Sequence, residues 1–304
     1  MAALLIQGKE VPIAVEDSGG TQPPLLLLHG FGTSLLDWSL VTPYLEATHR
    51  VIAMDLRNHG LSGRGEWDWA AVTDDIHSVL SQLHAEHAVI AGHSLGGIIA
   101  AMYAHAYPRT AGIINFDGFS RGHPENYVGI DPQTVSKHLR RIRAMEAAHA
   151  GTQMVESDVA SMVQYAVRKA GQLQAPVEVF ASGVLRRLEK HRDGTFTHRP
   201  DKAQLLEIYD SLEGADVFAL FASLPCPGVI VRATRAHADH TQIPAWTAVQ
   251  AAYAAGLRER LAGLTSPNVS VCYVDATHQL LVEIPDQVAA IIHRFGTEYL
   301  SPRD

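Results

Sequence analysis

The sequence predicts an α/β fold, a mostly parallel sheet flanked by helices, with a helical segment inserted in the middle of the chain. Short apolar runs alternate with helical patterns up to residue 117, and such alternation is typical of right-handed crossovers between parallel strands. The runs at 25–28 and 51–54 are apolar throughout, as in strands buried on both faces. The alternation then stops for about a hundred residues of helical pattern, too long an interruption for a simple loop.

The first part of the chain supplies the expected hairpin and the start of the parallel sheet. Residues 4–6 and 11–16 flank Gly8-Lys9 and predict two short antiparallel strands. Further strands are expected at 25–28, 50–55, 88–91 and 111–117. Apolar residues recur at helical spacing between them, which predicts helices at 38–45, 69–83 and 98–107.

The second part contains the insertion and the end of the sheet. Helices are expected at 132–149, 157–169, 177–191 and 202–212, and residues 195–200 are expected to be extended. After Pro225-Cys226-Pro227 the sheet pattern resumes, with strands at 228–232 and 269–274 and helices at 245–264 and 285–299. We therefore expect a core formed by residues 1–120 and 223–304, and a helical cap formed by residues 121–222.

Composition narrows the classes of function. The chain has 304 residues, of which 47% are hydrophobic and 18% charged, as in soluble globular proteins. No apolar run reaches the roughly 18 to 20 residues of a membrane span, and the first apolar run is too short for a signal peptide, so we expect a cytoplasmic protein with no membrane partner. The net charge of −8, with both signs interspersed, argues against nucleic acid as a partner.

The candidate nucleophile is Ser94. An apolar run breaks into Gly-His-Ser-Leu-Gly at 92–96, and a helical pattern follows. A strand–turn–helix this tight strains its middle residue and requires small side chains two positions before and after it. Gly92 and Gly96 meet that requirement, so the Ser94 hydroxyl is expected at the carboxyl end of a strand.

The chemistry of a serine nucleophile identifies candidate partners. A hydroxyl needs a base within reach, and the base needs a third group to orient it. His278 follows the last predicted strand and is therefore expected at the same sheet edge. Charge that develops on an attacked carbonyl needs fixed donors, for which the backbone N–H groups of Phe31 and Leu95 are the candidates.

Together these motifs resemble the α/β-hydrolase superfamily. They comprise His-Gly-Phe-Gly at 29–32, Asp-Leu-Arg-Asn-His-Gly-Leu-Ser at 55–62, Gly-His-Ser-Leu-Gly-Gly at 92–97, and His278 ahead of Glu-Ile-Pro at 283–285, in the family's order. The resemblance implies an α/β-hydrolase fold with a cap where the family commonly inserts one. Arg57 and His59 are expected to brace their loop rather than to act on substrate, and His93 is expected beside the site.

The sequence departs from the commonest family pattern at the third member of the catalytic triad, the acid that orients His278. Many relatives place it in Gly-x-x-Asp after the strand that follows the cap, but here that stretch reads Arg-Ala-Thr-Arg-Ala at 232–236, with Ala236 at the acid position. Asp117 ends the strand after the nucleophile helix, a position from which certain dehalogenases and lactone hydrolases supply the acid. Asp239 is the alternative and would need a longer loop.

Nearby, His-Ala-Asp-His at 237–240 is not a closed set of metal ligands, so no metal site is expected.

The expected reaction is hydrolysis of a small-molecule ester. Ser94 attacks the carbonyl, His278 takes its proton, Asp117 orients the imidazole, and water then releases the acyl group. This mechanism implies no metal, nucleotide or flavin cofactor. A partly apolar ester or lactone of small to medium size is suggested by five apolar cap residues, Met154, Met162, Tyr165, Phe180 and Leu185.

Three alternatives use the same residues. The triad could cleave carbon–carbon bonds in diketones, or serve a lyase, cyclase or perhydrolase that needs no cofactor. The third alternative is a hydrolase-like protein that binds a ligand without turning it over.

Overall fold

The apolar runs of the sequence form the centre of one large sheet. The computed structural model describes residues 1–236 and 244–299. The strands in these ranges are β1 (Ala2–Gln7), β2 (Pro12–Asp17), β3 (Pro24–Leu28), β4 (Arg50–Met54), β5 (Val89–His93), β6 (Gly112–Phe116), β7 (Leu188–Lys190), β8 (Phe196–His198), β9 (Gly228–Ala233) and β10 (Val269–Val274). Eight of them form the main sheet, in the order β1-β2-β4-β3-β5-β6-β9-β10.

Helices follow most strands and cover the sheet. They are α1 (Trp69–Gln82), α2 (Leu95–Ala106), α3 (Pro132–Ala150), α4 (Glu156–Gln172), α5 (Val177–Arg186), α6 (Lys202–Glu213), α7 (Val217–Ala222), α8 (Pro244–Ala262), α9 (Leu280–Glu283) and α10 (Pro285–Tyr299). Leu25, Leu26, Leu27 and Leu28 are 0% exposed, because helices pack on both faces of a central parallel strand. The predicted α/β fold is confirmed.

Strand direction determines where the loops meet. The hairpin β1–β2 is antiparallel and β2 pairs antiparallel with β4, whereas the pairs from β4 through β3, β5, β6 and β9 to β10 are parallel. The loops that follow β3, β5, β6, β9 and β10 therefore leave from the same edge of the sheet. This is the edge at which ligands bind in open parallel sheets.

Two sequence expectations about local structure are wrong. Residues 38–45 do not form one short helix: two 3₁₀ turns, Leu35–Trp38 and Thr42–Tyr44, occupy this region. Pro43 has no N–H to donate and cannot stand inside an α-helix.

The helix expected at 177–191 ends at Arg186 instead, and Leu188–Lys190 pairs antiparallel with Phe196–His198. The turn between these strands contains Gly194 at φ 86°, so a tight hairpin competes successfully with the last helical turn.

The segment between β6 and β9 adds no strand to the main sheet. It contains α3 to α7 and the β7–β8 hairpin, and it has a small apolar cluster of its own that includes Met154, Val159 and Val184. The division into a core and a cap at residues 121 and 222 stays a prediction. Within the described ranges, every helix falls short of the length or the hydropathy needed to cross a bilayer.

Candidate active site

Ser94 stands in a strained turn between β5 and α2. Its backbone has φ 52° and ψ −116°, a combination that costs energy and is found mainly at functional sites. A Cβ on Gly92 would lie 2.1 Å from the carbonyl of Gly96, and one on Gly96 would lie 2.4 Å from the Leu28 carbonyl oxygen. Gly92 is therefore required for the turn to close on itself, and Gly96 for the turn to approach β3. The Ser94 hydroxyl faces the cavity above the sheet edge.

The imidazole of His278 bridges Ser94 and Asp117. Its Nε2 lies 3.0 Å from Ser94 Oγ, and its Nδ1 lies 2.7 Å from Asp117 Oδ2. Because an ionised carboxylate can only accept, Nδ1–H donates to Asp117 and Nε2 is left to accept the serine proton. The three side chains are thus arranged for proton transfer from the hydroxyl to the imidazole.

Asp117 is a buried carboxylate with a second cationic partner. Its Oδ1 accepts from Arg232 Nη1 at 2.5 Å and from the Ala233 backbone N–H at 3.1 Å. Burial alone would raise the pKa of Asp117, but the hydrogen bond from His278 and the charge of Arg232 hold it below its ordinary value. The carboxylate is therefore ionised at neutral pH. Sequence reasoning missed Arg232, whose signal was an arginine near the end of the strand after the insertion.

The alternative acid Asp239 lies outside the described residues. So do His237 and His240, the histidines of the possible metal motif.

His93 supports the loop that carries His278. Its Nε2–H donates to the His278 carbonyl oxygen at 2.8 Å, and its buried Nδ1 has no hydrogen-bond partner among the residues that the structure describes. Burial lowers the pKa of His93 to about 3, so the ring stays neutral and keeps the proton on Nε2. The role of His93 is therefore structural: it fixes the backbone next to the candidate base.

Phe31 and Leu95 present backbone donors to the same space. The Phe31 loop lies against the nucleophile, since a Cβ on Gly30 would be 3.4 Å from Ser94 Cβ. Leu95 is the first residue of α2, where backbone N–H groups have no acceptor within the helix. In the described ranges, neither N–H donates to a protein acceptor, and both residues line the cavity. The two donors are available to an oxyanion.

The loop before Phe31 is held by a buried histidine. His29 Nδ1–H donates to the Gly30 carbonyl at 2.7 Å, and its Nε2 accepts from the Leu56 backbone N–H at 3.0 Å. Burial lowers the pKa of His29 to about 4, so the ring is neutral and its proton stays on Nδ1. The position of the Phe31 donor therefore depends on a neutral histidine.

A cavity of about 1260 Å³ lies above Ser94, between the sheet edge and the inserted segment. Met162, Tyr165 and Phe180 line it, as the sequence suggested. Two other residues do not: Met154 is buried among side chains of the inserted segment, and Leu185 is 52% exposed on the outside. Helical spacing alone does not show which face of a helix meets a cavity.

Asp37 is a carboxyl group in the cavity wall that sequence reasoning also missed. Burial raises its pKa to about 6, although its hydrogen bond with Thr33 and the charge of Arg187 act against this. We found no pattern in the sequence that distinguishes Asp37 from a surface aspartate.

Comparison with known proteins identifies the family of this chain. The family described as "Alpha/beta hydrolase family" matches residues 25–291. Esterase YbfF of Escherichia coli is 27% identical over 166 residues, which are 53% of this chain and 60% of that protein. A Mycobacterium tuberculosis protein described as uncharacterized is 38% identical over 92 residues, 30% of this chain and 27% of its own length.

Solved structures extend the comparison to the whole fold. The structure of E-2-(acetamidomethylene)succinate hydrolase superposes with a TM-score of 0.71 at 20% identity and covers 97% of this chain and 98% of its own. At that identity the likeness concerns the fold. With the family match extending over most of its length, this chain belongs to the alpha/beta hydrolase family.

Proposed function

We propose that this protein is a serine hydrolase that cleaves a small to medium, partly apolar carboxylic ester or lactone. One observation carries the proposal: His278 lies 3.0 Å from Ser94 Oγ and 2.7 Å from Asp117 Oδ2. The match to an esterase over about half of this chain supports the same reaction class.

The reaction proceeds through an acyl-enzyme. Ser94 Oγ forms a bond to the substrate carbonyl carbon as its proton moves to His278 Nε2, and the carbonyl oxygen becomes an oxyanion held by the N–H groups of Phe31 and Leu95. The tetrahedral intermediate collapses, and the leaving alcohol departs with the proton from His278. Water then attacks the acyl group while His278 takes one of its protons, and the acid is released as Ser94 regains its own.

Residues 121–222 act in this proposal as a cap that shapes the substrate site. Met162, Tyr165 and Phe180 of this segment line the same cavity as Ser94, and together with Leu36 and Leu257 they make much of its wall apolar. Such a wall favours an apolar acyl or alcohol group.

Mutant kinetics test the proposal. We expect Ser94→Ala and His278→Ala each to lower kcat on p-nitrophenyl butyrate by about 10³-fold or more, and Asp117→Asn by about 10²- to 10⁴-fold. A fluorophosphonate probe should label the wild-type protein and spare the Ser94→Ala variant.

The matched control is Ser182→Ala, because Ser182 is exposed and does not line the cavity. It should behave as wild type in both assays. Wild-type rates in Ser94→Ala would show that the assigned site is wrong. Cleavage of diketones without ester turnover, or tight ligand binding without any turnover, would favour one of the alternative functions.

A further inference from the structure

The cavity wall is more basic than the chain as a whole. Among the described residues, six arginine or lysine side chains and four aspartate or glutamate side chains line the cavity. Over the whole sequence the balance is reversed, with 24 basic and 32 acidic residues. The excess of positive charge is therefore a local feature of the site.

Most of these cations already have a partner. Three arginines form ion pairs with carboxylates: Arg143 with Asp210 at 2.6 Å, Arg232 with Asp117 at 2.5 Å, and Arg235 with Glu283 at 2.5 Å. The charge of Arg187 acts on the nearby carboxyl group of Asp37. The guanidinium carbon of Arg121 lies 5.9 Å from the centroid of the Tyr253 ring. The charges of Arg143, Arg232 and Arg235 are therefore offset by carboxylates of the protein itself.

Lys169 differs from the three arginines that form ion pairs. Its ammonium donates to the side-chain oxygen of Gln279 at 2.9 Å, and in the described part of the chain no carboxylate lies within ion-pair distance. An amide oxygen carries only a partial charge, so it satisfies one N–H without neutralising the ammonium. Lys169 is partly buried, and Gln279 directly follows His278. Within the described ranges nothing neutralises this cation, and it stands beside the reaction centre.

A recess next to Lys169 enlarges this positive region. Its volume is about 420 Å³, and its described wall contains Arg168, Lys169 and Arg235 but only one carboxylate, Glu283. That carboxylate is occupied, because it pairs with Arg235 and accepts from the Thr277 backbone N–H at 3.1 Å. Lys169 lines both the recess and the main cavity, so the two spaces are adjacent and share this cation.

We propose that this recess binds an anionic group, a carboxylate or a phosphate, carried by the substrate whose ester bond lies at Ser94. Lys169 supplies the main charge, and Arg168 adds a second cation at the surface. The inference rests on the proposed function and narrows its substrate class to esters with a negative charge beyond the apolar part. An ion pair formed in this partly desolvated place is stronger than one formed in water.

Two p-nitrophenyl esters of equal acyl length test the inference. The glutarate monoester carries a terminal carboxylate, and the valerate ester ends in a methyl group. We expect wild-type kcat/KM to be at least about tenfold higher for the glutarate monoester, mainly through KM, and the preference to weaken as salt is added. In Lys169→Gln the ratio of the two kcat/KM values should fall toward one, and in Lys169→Glu it should reverse.

The control is Lys137→Gln, because Lys137 is exposed on α3 and lines neither the cavity nor the recess. This variant should keep the wild-type ratio. Thermal midpoints close to wild type in both Lys169 variants would show that a changed ratio does not arise from misfolding.

Inhibition distinguishes the two anions. Glutarate and inorganic phosphate are each tested as competitive inhibitors of valerate ester hydrolysis, and the stronger inhibitor identifies the preferred group. If the wild-type protein hydrolyses neither ester, the proposed function fails. If it hydrolyses both with equal kcat/KM, or if Lys169→Gln keeps the wild-type ratio, this inference alone is overturned.

Discussion

The two carboxylate oxygens of Asp117 accept hydrogen bonds from different side chains: Oδ2 from His278 and Oδ1 from Arg232. The arginine is 16% exposed and its guanidinium also lies over the Phe119 ring, 5.8 Å from the centroid. A cation at this distance holds the carboxylate in one orientation and reduces the negative potential that it exerts on the imidazole. In the proposed mechanism, Arg232 is therefore a positioning residue for the triad.

Replacement of Arg232 should change the pH dependence of catalysis. In Arg232→Met the carboxylate keeps its hydrogen bond to His278 but loses the charge that helps to lower its pKa, so the pKa of Asp117 rises and the ionised form is lost at a higher pH. We expect the acidic limb of the kcat/KM profile to move to higher pH and kcat to fall by about tenfold. The measurement is a pH–rate profile on p-nitrophenyl butyrate.

Arg232→Lys should recover part of the wild-type profile because it restores the charge without the planar fork. A structural role alone would lower the amount of folded enzyme and leave the limb where it was. An unshifted limb in Arg232→Met would therefore contradict the positioning role.

At the scale of elements, the loop after β4 connects the sheet to the inserted segment. Asp55 is 0% exposed and accepts from the Leu35 and Leu61 backbone N–H groups at 2.8 Å each. Arg186, at the end of α5, adds a third donor at 2.9 Å. A second connection, from Gln204 to Asn58 at 3.0 Å, is also buried. Both links fix the inserted segment over the cavity.

Removal of the Arg186 charge should weaken this attachment. Arg186→Met keeps an apolar stem but leaves the Asp55 carboxylate without its cation, and loss of one partner of a buried ion pair costs about 3 kcal/mol or more. We expect a lower free energy of unfolding in urea and faster proteolysis between α5 and α6. The control is Arg192→Met, at an exposed arginine of the β7–β8 turn, and its free energy of unfolding should equal that of the wild type. Equal stability of the wild type and both variants would contradict a stabilising contact between Arg186 and Asp55.

Secondary-structure elements differ in how well a local sequence pattern predicts them. The uninterrupted run at 25–28 became β3 because a strand with helices on both sides needs apolar residues at every position. Residues 195–200 were expected to be extended and contain β8, but β7 and its pairing were missed because 188–190 and 196–198 stabilise each other only as a pair. Asp55 and Arg186 are 131 residues apart, and no periodicity connects them.

The molecule as a whole buries several neutral histidines near the site. Burial lowers the pKa of His29 to about 4 and the pKa values of His59 and His93 to about 3. The unfolded chain, with histidine pKa values near 6.5, therefore binds more protons than the native state between about pH 6.5 and 4, and stability falls as the pH falls through this window. Asp37, with its pKa raised to about 6, acts in the opposite direction below pH 6 because only the native state keeps its proton.

We expect His29, His59, His93 and Asp37 together to contribute a net uptake of about two protons on unfolding near pH 5, which corresponds to a loss of about 3 kcal/mol of stability for each pH unit. Urea unfolding at several pH values measures this slope. Asp37→Asn should steepen the slope by about one proton and should stabilise the protein by about 1 to 2 kcal/mol at pH 7. A flat profile between pH 6.5 and 4.5 would show that the buried histidines do not control acid stability.

The sequence by itself determined the parallel sheet, the strained turn at Ser94 and the family of the protein. These depend on local features: apolar runs, the glycines on either side of the serine, and motifs in a given order. Only the tertiary structure decided that Asp117 meets His278 across 161 residues of chain, that Arg232 shares its carboxylate, and that Lys169 stands beside Gln279. Those contacts follow from strand order and from side-chain directions, and a local pattern of residues encodes neither.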